Sequence, residues 1–143
     1  MDRRKLLLAC VALTLAPLGA AAAGVSPSSH GLTVPLRVIL PFGHDRIDLG
    51  PEALVAVEEQ ARTLVRDPAL AVRLEGHADD TSSPEYAIGL GQRRADAVKT
   101  RLQALGIAPN RITTMSYGRE RPAVPGDSPE ARAQNRRVEM VIQ

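Results

Sequence analysis

Two prolines limit what this chain can fold into more than any other residues. Pro51 follows Gly50, Pro84 follows Ser82 and Ser83, and each heads an amphipathic run. Proline is well tolerated in a helix only in the first turn, where its missing N–H had no intrahelical partner to lose. The first run places Leu54, Val57, Ala61, Leu64 and Val65 at helical spacing, has Glu52 at the positive end of the dipole, and is stopped by Pro68. The second has Ser82 and Glu85 in capping-box spacing, a stripe of Leu90, Val98, Leu102 and Leu105, and a terminating Gly106. These signals predict a helix over residues 84–105.

Short alternating segments flank the two helices. Residues 34–40, 71–77, 111–117 and 136–142 read as strands. In the second, Val72 and Leu74 take one face and Arg73 and Glu75 the other; in the last, Val138, Met140 and Ile142 share one side. A Gly/Pro-rich loop over 118–126 and room for one helical turn over 128–133 complete the order βαβαβ(α)β. That order predicts an α/β (α+β) two-layer sandwich in which the helices pack on one face of a mixed sheet.

Residues 1–23 read as a removable export signal. MDRRK is a basic n-region, LLLACVALTLAPLG an apolar h-region broken by Pro17 and Gly19, and AAAAG offers small residues for a cut near Ala23. An uncleaved membrane anchor is the alternative, since residues 6–25 are almost wholly apolar. Leu7-Leu8-Ala9-Cys10 mimics a lipoprotein box, with only residues 6–9 as its h-region, and Arg3-Arg4 loosely resembles a twin-arginine signal. Residues 24–33 form a Ser/Gly/Pro-rich lead-in, and one domain is expected over 34–143.

The 120 residues after the cut carry 15 basic and 15 acidic side chains. A neutral chain without a basic block gives no electrostatic case for nucleic acid or an anionic membrane surface. The one cysteine, Cys10, lies in the signal, so the mature chain has no thiol nucleophile, thiolate ligand or disulfide. Phe42, Tyr86 and Tyr117 are its only Phe, Tyr or Trp residues, too few for a stacking platform. A ligand is therefore expected to be held by charge and hydrogen bonds. His77, Asp79, Asp80 and Glu85 have only loose spacing for a metal or hydrolytic site, and HExxH and GxSxG motifs are absent. The chain is read as non-catalytic, with no cofactor and no metal.

Arg94 is the most informative charge. It falls four residues after Leu90 and four before Val98, at the edge of the buried stripe, where a charge needs a partner. Asp79, at the end of the preceding strand, is the natural candidate. An aspartate and an arginine at one pocket can clamp a zwitterion, the carboxylate taking an ammonium and the guanidinium forking a carboxylate. The same two residues could instead close the loop as an internal ion pair, and Arg101, also near the stripe, could simply lay its stem on apolar surface. Arg136 and Arg137 are expected on opposite faces of the last strand, one toward Asp79 and Arg94 and one to solvent.

The segment EGHADDTSSPEYAIGLGQRRADAVKTRL, residues 75–102, followed by SYGRERPAVPGD and NRRVEMVI, closely resembles the OmpA-like C-terminal domain family, and within it the peptidoglycan-associated lipoproteins. The resemblance covers about residues 40–142. It implies a periplasmic domain that binds the stem peptide of peptidoglycan non-covalently and ties the outer membrane to the wall. It places Asp79 at the aspartate that receives the ammonium of meso-diaminopimelate and Arg94 at the arginine that holds its carboxylate. Tyr86 and Leu90 match pocket-wall positions, Phe42 the aromatic after the first strand, and Arg136 and Arg137 the arginine pair near the site. Asp80 and Thr81 join the expected ligand set, through the 79–83 loop whose amides are expected to orient carboxylates, as does Arg137. Two positions depart from the family pattern: Gly43 replaces a polar Asp or Asn, and Ala87 an Asn. The alternative expectation is an interaction module of the Tol system that meets a TolB-like periplasmic partner and binds the wall weakly or not at all.

Overall fold

The computed structural model describes residues 37–143. The expected signal, the lead-in and the first residues of the 34–40 strand lie outside that range. The described chain runs β1 (Arg37–Pro41), α1 (Pro51–Arg66), β2 (Val72–His77), α2 (Pro84–Ala104), a 3-10 turn (Pro109–Arg111), β3 (Ile112–Gly118), α3 (Pro129–Asn135) and β4 (Arg137–Ile142). Both prolines stand in first turns as expected, but the cap of α2 is Ser83, whose hydroxyl accepts from the Tyr86 amide, and not Ser82. The expected helical turn near residue 128 is a seven-residue helix capped by Ser128.

The sheet is mixed, in the order β1-β4-β2-β3. β4 pairs antiparallel with both β1 and β2, and β2 runs parallel to β3, joined to it through α2. One face of this sheet meets α1 and α2. Leu40, Val72, Leu74, Ile112, Val138, Met140 and Ile142 point into that layer against Val57, Ala61 and Leu64 of α1 and Ala95, Val98 and Leu102 of α2. Each buried Val, Leu or Ile contributes roughly 1.5–3 kcal/mol of transfer free energy. On α1 the buried strip is narrower than the apolar stripe: Val57, Ala61 and Leu64 are covered, whereas Val65 is 57% exposed.

Two glycines set how α2 sits. A Cβ at Gly76 of β2 would lie 1.9 Å from the Gly91 carbonyl oxygen of α2, and a Cβ at Gly91 would meet Ser116 Oγ at 2.3 Å. Helix and strand therefore approach backbone to backbone, and Arg94, three residues further along α2, reaches the end of β2. Arg101 does not lie idle along the stripe; it pairs with Glu58 of α1 at 2.8 Å.

The helix-free face is unlike an ordinary solvated sheet. Alternation brings Arg73, Glu75 and His77 of β2 to it, together with Arg137 and Glu139 of β4. Glu75, His77, Arg137 and Glu139 are all less than 9% exposed. Glu75 and Glu139 are direct cross-strand partners, a repulsive pairing. It is offset by Arg37 and Arg137, which donate to Glu139 at 2.8 and 3.3 Å, and by Arg73, 3.5 Å from Glu75.

Candidate functional site

At the end of the sheet where β1 and β2 both finish, the β1–α1 loop, the β2–α2 loop and the first turns of α2 enclose a groove of about 320 Å³. His44 and Asp45 line it from the first loop, Asp79, Thr81 and Ser82 from the second, and Tyr86, Leu90 and Arg94 from α2. That volume lies at the lower end of the range typical for small-molecule sites.

Arg94 forms the floor, with no exposed surface. Its Nε donates to the Arg46 carbonyl at 2.8 Å, Nη1 to the His77 carbonyl at 3.0 Å and Nη2 to the Gly43 carbonyl at 3.0 Å. The guanidinium lies 5.4 Å from the centre of the Phe42 ring, which packs behind it in the core. Three of its five N–H groups are thus fixed by neutral acceptors, so the side chain is held rigidly while its charge is not cancelled. Burial pulls its pKa down to about 10, with Asp79 acting against that shift, and the group is cationic at neutral pH.

Asp79 is 5% exposed. Burial pushes its carboxyl up, but hydrogen bonds from the Thr81 hydroxyl and amide and from Arg136 outweigh this and hold it below the usual carboxylate value. Arg136 Nη1 donates to Asp79 Oδ2 at 3.2 Å, and its Nε donates to the Phe42 carbonyl. His44 Nδ1 stands 3.9 Å from the same carboxylate. Across the groove the Tyr86 hydroxyl donates to Asp45, tying α2 to the β1–α1 loop, and this bond raises the Tyr86 pKa.

Of the expected ligand set, Asp79, Thr81, Tyr86, Leu90 and Arg94 line one groove. Phe42 does not; it lies in the core and supports Arg94 from behind. Asp80 turns to a neighbouring hollow and pairs with Arg132 of α3 at 2.8 Å. Arg137 is a correction. Strand parity sends it, in phase with Glu139, to the helix-free face, where it is buried and not turned to solvent; Arg136, just before the strand, reaches Asp79. The internal Asp79–Arg94 ion pair does not form among the described residues, since Arg94 spends its donors on carbonyls. The Thr81 amide, one of those expected to orient a ligand, is occupied by Asp79. Ala87 is fully buried, packed with Ala78 and Leu90. Asp45 and His44 were not anticipated; Asp45 takes a left-handed conformation (φ 53°), and nothing in the spacing of the sequence marks the loop as a groove wall.

Groove and sheet together define a class, a two-layer α+β domain that presents a fixed buried cation and a hydrogen-bonded carboxylate at one end of its sheet. The chain belongs to the OmpA family, whose pattern matches residues 41–136. It is similar to the peptidoglycan-associated lipoprotein of Pasteurella multocida, 44% identical over 97 residues, which is 68% of this chain and 65% of that protein. It is 38% identical to the Legionella pneumophila protein of the same name over 122 residues, 85% of this chain and 69% of that one. The chain thus spans a little under two thirds of the Pasteurella relative. Among solved structures, the peptidoglycan-associated lipoprotein from Burkholderia pseudomallei matches with a TM-score of 0.72 at 30% identity, covering 73% of this chain and 89% of that one. The C-terminal domain of Helicobacter pylori MotB matches with a TM-score of 0.68 at 26% identity, covering 74% and 84%.

Proposed function

We propose that this protein is a non-catalytic anchor of the cell envelope that binds the peptide stem of peptidoglycan in the Asp79/Arg94 groove, with meso-diaminopimelate as the residue recognised. The observation that carries this reading is the state of Arg94. Its geometry is fixed by three carbonyls while its positive charge remains unneutralised at the floor of a groove whose walls carry Asp79 and Asp45. A ligand centre bearing both a carboxylate and an ammonium suits that arrangement, the carboxylate drawn to Arg94 and the ammonium to the wall carboxylates. The names of the relatives, with 37–44% identity, support wall association. Export to the periplasm and attachment at the outer membrane follow from the same reading.

The test is co-sedimentation of residues 24–143, which contain the whole core described above, with isolated sacculi. Asp79→Asn is the informative variant, because Arg94→Ala would strand three buried carbonyls and challenge the fold itself. Pelleting of the natural protein, its loss in Asp79→Asn at unchanged melting temperature, and its displacement by free stem peptide are the expected results. If the natural protein stays in the supernatant, wall binding is refuted and the groove is better read as a contact surface for a TolB-like protein.

A further inference from the structure

The helix-free face of the sheet carries a second cavity, of about 360 Å³, lined by Arg37, Arg73, Arg121, Arg137, Glu75, Glu139 and His77 among others. It lies on the opposite side of the sheet from the core, α1 and α2, and neither the fold nor the groove accounts for its charge. Four arginines face two glutamates. The ion pairs there use Arg37, Arg73 and Arg137, and the His77 ring stands 3.7 Å from Glu139. Arg121 instead holds its guanidinium 3.8 Å from the centre of the Tyr117 ring. That position is built. The Arg121 carbonyl accepts from Arg137 Nη2, and the Asn135 side chain clamps the same loop at Ala123 and Val124 with three hydrogen bonds.

Two further groups lack what a ligand would bring. His77 is 2% exposed and neither ring nitrogen makes a hydrogen bond: Nε2 stands 3.7 Å from Glu139 Oε2 and Nδ1 has no partner, while Arg73 Nε, 3.5 Å from Glu75 Oε2, also falls short of one. Buried polar groups in native proteins nearly always find partners. The carboxylates nearest these atoms stand at or beyond the limit of hydrogen-bond length, so the guanidinium N–H and the one N–H of a neutral imidazole are left poorly satisfied by the protein alone.

We infer that this cavity is a binding site for a small oxyanion, a carboxylate or phosphate group whose oxygens accept from Arg73, Arg121 and the His77 ring. The bound charge offsets the surplus of two positive charges that four arginines and two glutamates leave in the cavity. The site is independent of the groove: only the His77 backbone serves Arg94, and only its ring faces this cavity.

Imidazole carbon–proton resonances of residues 24–143 test the assignment, with inorganic phosphate and succinate titrated separately against chloride at constant ionic strength and pH 7. A saturable shift of the His77 ring, with a half-saturation distinct from any response of His44 in the groove, is expected for one or both probes, and the probe that saturates first tells phosphate from carboxylate. Arg121 is exposed, so Arg121→Gln should fold normally, and it should weaken the response about tenfold, the loss expected for one charge-assisted contact. Arg62→Gln on α1 is the control and should change nothing. Shifts that are linear in concentration and equal at His44 and His77, or a response that survives Arg121→Gln, would overturn the inference and leave the cavity a hydrated ion-pair lattice.

Discussion

Alanine at Gly91 and at Gly89 should move the stability of this domain in opposite directions, although the two sites are two residues apart on one helix. In an exposed helix interior alanine is worth about 1 kcal/mol over glycine. Gly89 has only the tip of the Arg93 side chain near its virtual Cβ, at 3.9 Å, so Gly89→Ala should gain that amount. At Gly91 the new methyl would lie 2.3 Å from Ser116 Oγ and 3.0 Å from the Gly76 backbone. Ser116 is not free to swing away without cost, since its hydroxyl donates to the Ile88 carbonyl at 2.7 Å. The strand backbone cannot move alone, so α2 must lift. A contact this close puts the overpacking cost in the upper part of its usual range, about 2–3 kcal/mol; with the helix gain of about 1 kcal/mol subtracted, Gly91→Ala should lose about 1–2 kcal/mol. For a domain of this size that is a melting temperature about 5–10 °C lower, against a rise of about 5 °C for Gly89→Ala. Thermal unfolding followed by circular dichroism measures both. Lifting α2 also carries Arg94 away from its carbonyls, so Gly91→Ala should bind sacculi more weakly while Gly89→Ala should not. If both substitutions raise the melting temperature, helix and strand do not touch backbone to backbone in solution, and the account of how Arg94 is positioned fails.

Three other outcomes follow from the charges. His77 is held near pKa 4 by burial and by Arg137, with Glu139 opposing, so the unfolded chain binds its proton more readily. Its neutral form therefore favours the fold fully above about pH 6.5, and as pH falls from there to about 4 up to roughly 3 kcal/mol is lost; in His77→Gln, denaturant titrations at pH 7 and pH 4 should differ by that much less. The Asp79 carboxyl lies below its ordinary value, so its contribution is complete above the ordinary carboxylate pKa and is lost as pH falls through the lower, folded-state one. Sacculus pelleting should accordingly persist into mild acid, and Arg136→Gln should move the acid edge to higher pH; an unmoved edge would show that Arg136 does not set it. Stem peptide with amidated diaminopimelate offers Arg94 no carboxylate and should compete about tenfold less well than the free acid; equal competition would rule out the clamp.

The order of elements could be read along the chain because each was punctuated locally: Pro51, Pro68, Pro84 and Gly106 mark helix ends by backbone chemistry that tertiary contacts do not override. The position of Arg94 on the stripe was legible for the same reason. Its partners were not, because three carbonyls from residues 43, 46 and 77 are brought together only by folding. The exchange of roles between Arg136 and Arg137 was within reach. Val138, Met140 and Ile142 face the core, so Arg137 must share the other face with Glu139, and the parity of the strand already assigned it there. What parity could not say is that this second face would be buried, since Glu75 and Glu139 look like ordinary surface residues until they are paired across strands. Asp45 was invisible because its role depends on a turn 41 residues away from Tyr86 in sequence.

The place of β4 in the sheet bears on how such a chain comes into being. Synthesis delivers the N-terminus first, yet among the described strands β1 pairs only with β4, with contacts such as Arg37 to Glu139 spanning 102 residues. Pairing at that separation cannot begin until the end of the chain is available, and closing so long a loop is slow. Arg136 reaches Asp79 only when β4 docks. A nascent chain interrupted before residue 136 therefore has neither the strand that joins β1 to β2 nor the arginine that holds Asp79.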